Sequence, residues 1–151
     1  MVGNREITRA AIVDEALSWV GTPYRYQASL KGVGCDCLGL LRGVWRALYG
    51  PEPETMPGYT PDWAEAHGAE TLAAAARRHL VEIAVGDAGA GDVVLFRWRA
   101  SLPAKHAAVL ISGERIVHAQ QGAAVATATL TPWWRRRVGY AFSFPGVRSV
   151  S

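Results

Sequence analysis

Long hydrophobic runs are missing from this chain: no apolar stretch approaches the roughly 18 to 20 residues that a bilayer-crossing helix requires. Its opening, MVGNREITRAAIVDEALSWVG, mixes acids and bases where a secretory signal would carry an unbroken apolar segment. The expectation is therefore synthesis in the cytoplasm without a signal peptide and without a membrane span. Cysteine is scarce too. The two present, Cys35 and Cys37, are separated only by Asp36, and a disulfide across one residue strains the usual Cα separation of about 5 to 6 Å. A structural staple is the poorer reading and a free thiol the better one. Charge of one sign is also lacking: the net is +3, with basic residues gathered at Arg77-Arg78 and Arg135-Arg136-Arg137. That balance permits acidic partners but lacks the long basic stripe of a nucleic-acid surface, so no nucleic-acid binding is expected. Finally, there is no Gly-x-Ser-x-Gly elbow, no phosphate-cradling glycine loop and no His-Glu-x-x-His helix, which removes the commonest serine-hydrolase, nucleotide and zinc-protease signals.

What is present suits one compact domain over residues 1–151: half the residues are hydrophobic and 19% are charged. Apolar positions Ile7, Ala11, Ala16, Leu17 and Val20 recur as on an amphipathic helix that stops at Gly21-Thr22-Pro23. Residues 22–36 hold no sustained period and read as a loop. The pattern CLGLLRGVWRALY then predicts a helix from about Cys37 to Tyr49, with Gly50-Pro51 as its stop. A proline-rich surface loop follows, then helical sequence to about His79, with Gly68 as a possible break. The second half reads as strands at Val93–Trp98, Ala107–Ile111, Arg115–Ala119, Val125–Thr131 and Val138–Phe144, with Ser112-Gly113 as a hairpin turn. Helices first and neighbouring strands afterwards predict an α+β domain with N-terminal helices packed on an antiparallel sheet.

Three residues invite chemistry. Cys37 stands at a helix start, where orphan N–H groups and the positive end of the dipole favour a thiolate and are expected to depress the thiol pKa. The plainer alternative is a small buried hydrophobe. His106 opens a strand, which can hold an imidazole firmly enough to act as base and then as acid toward an amine leaving group; otherwise it is a surface strand histidine. His118 lies on the following strand and can orient His106 as the third member of a triad, or be a structural histidine. Tyr24 and Tyr26 are candidates to donate to an oxyanion, or packing residues. Asp36 suits a helix cap better than a substrate contact. Cys35 can tune the neighbouring thiol, oxidise or simply pack. His67 and His79, in the helical middle region, read as solvent-facing or helix-end residues. Cys35, Cys37, His106 and His118 could together supply four zinc ligands, but the cysteine spacing is shorter than structural zinc sites use, and no metal is expected.

At these residues the chain resembles the NlpC/P60 cysteine peptidases, in particular small versions associated with the tails of phages and gene-transfer particles. The matching segments are GTPYRY at 21–26, GCDCLGL at 34–40, GDVVLF at 91–96, KHAA at 105–108 and IVHA at 116–119, with WWRRR at 133–137 and AFSFPG at 141–146 resembling the tail group. The resemblance implies a reduced papain-like fold, Cys37 rather than Cys35 as nucleophile, His106 as base, His118 as the orienting residue and Tyr24 as the active-site tyrosine. It implies hydrolysis of peptidoglycan stem peptides, typically between γ-D-glutamate and a diamino acid, with no metal or organic cofactor. It further implies attachment to a phage-tail-like hub or baseplate, which would carry the enzyme to a target cell wall and help a particle enter. Leu38 replaces the serine common after the nucleophile, and Ala108 and Leu110 replace the frequent glycine and tyrosine after the base, departures that bear on subsite shape. Arg25, Lys31 and the loop from Pro51 to Pro61 are candidates for the substrate groove. Two other readings are a thiol-dependent amidase or acyltransferase and a noncatalytic tail adaptor, and the paired tryptophans with their arginines could serve assembly, bind an anionic wall polymer or close the sheet.

Overall fold

A computed structural model describes residues 7–53 and 71–148. Along the chain these form β1 (Ile7–Thr8), α1 (Arg9–Leu17), β2 (Ser29–Leu30), β3 (Gly34–Cys35), α2 (Cys37–Tyr49), α3 (Thr71–His79), β4 (Val81–Ile83), β5 (Val93–Phe96), β6 (His106–Leu110), β7 (Arg115–His118), β8 (Ala126–Thr129), α4 (Pro132–Arg135), β9 (Val138–Ser143) and β10 (Val147–Arg148). Six strands build one antiparallel sheet in the order β4-β9-β5-β6-β7-β8. The fold is α+β, with helices from the first half packed on that sheet, as the order of helical and strand patterns predicts.

Alternate strand residues go to two different apolar layers. Val93 and Leu95 of β5, Ala107 and Val109 of β6 and Val117 of β7 join Ile12 and Ala16 of α1 and Leu40 and Val44 of α2. Val94 and Phe96, Ala108 and Leu110, and Ile116 form a second layer against Leu130 and Trp134. Because both faces are covered, β5 and β6 are buried at every position, which is why VVLF and HAAVL read as continuous apolar runs instead of alternating ones.

Two polar knots set the helices on the sheet. Asp92, almost wholly buried, accepts from Arg9 at 2.7 Å, from Ser143 at 2.6 Å and from the Gly89 amide at 2.9 Å, tying α1 to β5 and β9. Gly91 just before it has φ +85°, and a side chain there would press on the Arg9 backbone, so the Gly91-Asp92 pair is a structural joint. Between helices, Gly43 of α2 receives the Trp19 indole: an added Cβ would lie 2.0 Å from the ring.

Several element bounds differ from the sequence reading. The first helix starts at Arg9, not Ile7, because Ile7 and Thr8 pair with Val147 and Arg148, and the Thr8 hydroxyl caps the helix by accepting from Ala11. Residues 22–36 are not all loop: Ser29 pairs with Cys35 and Leu30 with Gly34 in a short hairpin. Val81–Ile83 forms an edge strand on β9 that periodicity over three residues could not reveal. The second helix spans the residues predicted for it. Gly68, His67 and the stretch from Glu54 to Pro61 lie outside the described residues.

Candidate active site

The start of α2 is built from both sides of Asp36. Its Oδ1 accepts from the Gly39 amide at 2.7 Å, the N-cap bond, and its Oδ2 accepts from the Gln27 amide at 2.7 Å. Gln27 has φ 62°, a left-handed conformation unusual outside glycine, and the buried carboxylate holds it there. Ala28 then passes so close to the first turn of α2 that a Cβ on Gly39 would fall 1.9 Å from its carbonyl oxygen. This packing aims Cys37, the first residue of the helix, at the start of β6, where its thiol lies 4.0 Å from the Lys105 carbonyl.

His106 opens β6 opposite Phe96. Continuing the Val109–Val117 register by one residue sets His118 across from Ala108, so the two histidines are diagonal neighbours on the same sheet face, within reach for long side chains. Their rings meet: His106 Nε2 and His118 Nδ1 are 2.9 Å apart. Both residues are only 5% exposed. Aromatic rings enclose the pair. Trp98 stacks on His106 at 5.4 Å between centroids and 23° between planes, Phe96 stacks at 5.8 Å, and Trp134 meets His118 edge-on at 5.3 Å.

A cleft of about 280 Å³ brings Tyr24, Cys37 and His106 to one surface, together with Trp98, Gln120 and Gln121. Tyr24 is placed by its bridge to Cys35 and by flanking backbone bonds, Arg25 N–H to Cys35 O at 3.0 Å and Cys35 N–H to Pro23 O at 3.0 Å. Tyr26 is exposed and does not line the cleft. Cys35 is a free, fully buried core residue, which leaves it a packing role. Lys31 pairs with Glu15 at 2.8 Å and sits over Trp19, and neither it nor Arg25 is in the cleft wall.

Electrostatically the site departs from the sequence expectation of a depressed thiol pKa. Burial pushes the Cys37 thiol up to about 12, and the neighbouring Asp36 carboxylate adds to the rise. Backbone N–H bonds from Ala107, Leu38 and Cys37 itself pull the other way without overcoming it. Burial likewise holds His106 down to about 3, with His118 contributing, and lowers His118. The cleft thus holds a neutral thiol and a neutral imidazole at rest, because desolvation of two charges outweighs the helix terminus. Tyr24 is raised, first by burial and then by Cys37 and Asp36, so its hydroxyl keeps its proton and can donate. When His106 carries its proton on Nε2 it donates to His118 Nδ1, and its own Nδ1 is then an acceptor.

Trp98, Gln120 and Gln121 go unnoticed in the sequence as site residues, and Trp134 stands out there only as one of the paired tryptophans. A signal for Trp98 existed: it lies two residues beyond Phe96, the register partner of His106, and hence on the same face if the strand direction continues. Gln120-Gln121 directly follow His118-Ala119 but carry no motif of their own.

The NlpC/P60 family model matches residues 21–141. Among solved structures, the chain is similar to the NlpC/P60 domain of the peptidoglycan hydrolase SagA, with 29% identity and a TM-score of 0.62 over 91% of this chain and 100% of that one. It also matches an NlpC/P60 family protein from Bacillus cereus, with 17% identity and a TM-score of 0.67 over 93% of this chain. A lipoprotein-like family member from Staphylococcus aureus shows 22% identity and a TM-score of 0.61 over 99% of this chain. The chain spans less than half the length of these last two, 41% and 45%, and at that identity they show the fold alone. Among curated proteins, none matches the sequence.

Proposed function

The chain belongs to the NlpC/P60 family, an enzyme of the cysteine-peptidase class, and from that premise we propose that it hydrolyses peptidoglycan stem peptides with Cys37 as nucleophile and His106 as general base. The bond cut is the amide between γ-D-glutamate and the diamino acid. The observation that carries the reading is the shared cleft: Cys37 at the start of α2, His106 at the start of β6 and Tyr24 line one cavity, and the rings of His106 and His118 meet at 2.9 Å.

In this mechanism a substrate carbonyl enters beside Cys37. The thiol proton passes to His106 Nδ1 as the sulfur attacks the carbonyl carbon, and the C=O electron pair moves to oxygen. Backbone N–H groups at the start of α2 and the Tyr24 hydroxyl can donate to that oxyanion. The imidazolium, formed in a dry site, is stabilised by the hydrogen bond to His118 and by the faces of Trp98 and Phe96 at 5.4 and 5.8 Å. His106 then gives its proton to the amine nitrogen as the C–N bond breaks, leaving a thioester. Water, deprotonated by His106, attacks the thioester, and the sulfur leaves with the proton restored.

The closing segment from Trp133 to Gly146, which resembles the tail-associated members, supports the further reading that the enzyme acts on the wall as part of a phage-tail-like particle. Mass analysis of defined stem peptides incubated with the wild type and with Cys37→Ser tests the activity. Cleavage by the wild type alone, with product masses at the γ-D-glutamyl bond, is the expected result, and a different thiol-dependent cut would reassign the enzyme to amidase chemistry. Co-sedimentation with purified particles tests the delivery.

A further inference from the structure

A second cleft, of about 430 Å³, is walled by Trp98 with Arg97, Arg99, Arg136 and Arg137, and among the described residues no acidic side chain is in its wall. Trp98 belongs to both clefts. Elsewhere in the described residues Arg9, Arg42, Arg46 and Arg77 are each paired with a carboxylate. Arg99, Arg136 and Arg137 are in no ion pair among the described residues.

Two of the four guanidinium groups are aimed by neutral partners. Arg137 sits over the Trp133 ring at 3.7 Å and donates to the Trp133 carbonyl at 2.9 Å, and its buried Nε–H has no acceptor among the described residues. Arg97 donates to the Leu102 carbonyl at 2.9 Å and to the Tyr140 hydroxyl at 3.0 Å. The carbonyl and the ring face that hold Arg137 fix its direction without cancelling its charge. A guanidinium cannot shed its proton to relieve the crowding, so this wall is a pre-arranged positive concavity, and a planar carboxylate is the anion whose geometry the fork matches.

Resting on the peptidase reading above, we propose that this arginine cleft is a subsite for a substrate carboxylate lying one or two residues from the scissile amide. The indole common to both clefts is stacked at 5.4 Å on His106. An extended peptide advances about 3.5 Å per residue, so one or two residues carry a carboxylate past the indole edge into the second cleft. The acid anchors the peptide and sets which amide stands over the sulfur.

The test separates binding from turnover. Stem tripeptides with free carboxylates, and the same peptides with each carboxylate in turn as the carboxamide, are titrated calorimetrically into Cys37→Ala. The titration is repeated in Cys37→Ala carrying Arg97→Gln and Arg137→Gln, the two guanidinium groups held in place by their neighbours, with unfolding midpoints as the check. One amidation is expected to weaken binding about tenfold or more, the worth of a charge-assisted fork, and the double arginine replacement to erase that ratio. Absence of any acid preference, or a preference that survives the arginine replacements, overturns the subsite. So does an oligonucleotide or anionic wall polymer bound through these arginines with no acid-to-amide ratio. If Cys37-containing protein cuts none of the peptides while the ratio behaves as expected, the peptidase reading fails and the anion subsite stands.

Discussion

His106 Nε2 and His118 Nδ1 stand 2.9 Å apart inside a ring of tryptophan and phenylalanine faces. In the proposed mechanism this contact leaves His106 Nδ1 for the thiol proton, with Nε2 donating to His118. Replacing His118 with alanine removes the acceptor and releases the wrong tautomer, and the expected loss in kcat is about 10²-fold or more, with a smaller change in KM. Asparagine, whose side-chain oxygen can accept from Nε2, should recover part of it. Steady-state kinetics on one stem peptide for the wild type and both variants checks this; equal activity of all three would remove His118 from the mechanism.

The two cysteines should separate cleanly. Cys37→Ala is expected to lower turnover by at least about 10³-fold while the unfolding midpoint stays near wild type. Cys35→Ala, in the core, should cost about 1 kcal/mol of stability and leave kcat close to wild type. Iodoacetamide followed by peptide mapping should label Cys37, slowly at pH 7 and faster as pH rises, because burial holds its thiol up to about 12. Fast labelling at neutral pH, or labelling of Cys35 first, would contradict the desolvated thiol and the buried neighbour respectively.

Asp36 joins stability to reactivity. Alanine there deletes the α2 cap and orphans the Gln27 amide, an expected loss of about 2 to 3 kcal/mol in denaturant unfolding. Asparagine keeps an oxygen for one amide but removes the charge that raises the Cys37 thiol. Its alkylation-versus-pH curve should therefore move to lower pH; an unmoved curve would mean that the carboxylate does not act on the thiol.

Acid should unfold this protein partly through His106. Its folded pKa is held down to about 3, against 6.5 as the ordinary value. Between those limits the unfolded chain binds a proton that the folded one refuses. The contribution is complete above about pH 6.5 and is lost as pH falls toward 3, on the order of a few kcal/mol. Urea unfolding at pH 7, 5.5 and 4 should show a steeper decline for wild type than for His106→Asn, which has no ring to titrate. Parallel declines would indicate that the imidazole is solvated enough to charge in place.

Much of the architecture was legible because each half of the chain has one dominant period. The second helix keeps an apolar face from Cys37 to Tyr49 with an acidic cap before it, both local properties, and it forms over those residues. Strands β5 to β9 were visible as β-branched or small-residue runs between turn formers. The short pairs Ile7–Thr8 and Ser29–Leu30 were not, since two residues show no period and owe their conformation to distant partners, Val147–Arg148 and Gly34–Cys35.

By itself the sequence determined the local terms: a capped helix that begins with a thiol, a histidine at a strand start, and a second histidine twelve residues on across a hairpin turn. Tertiary structure decided the terms that depend on what surrounds those groups. It set the histidines on one face under Trp98 and Trp134, put Cys35 in the core and Cys37 at a cleft, and gathered four arginines from two separate segments around one concavity. It also reversed the expected thiol shift. A helix terminus acts over one turn and can be read along the chain, whereas desolvation is the sum of all neighbours brought in by folding, and here that sum is the larger effect.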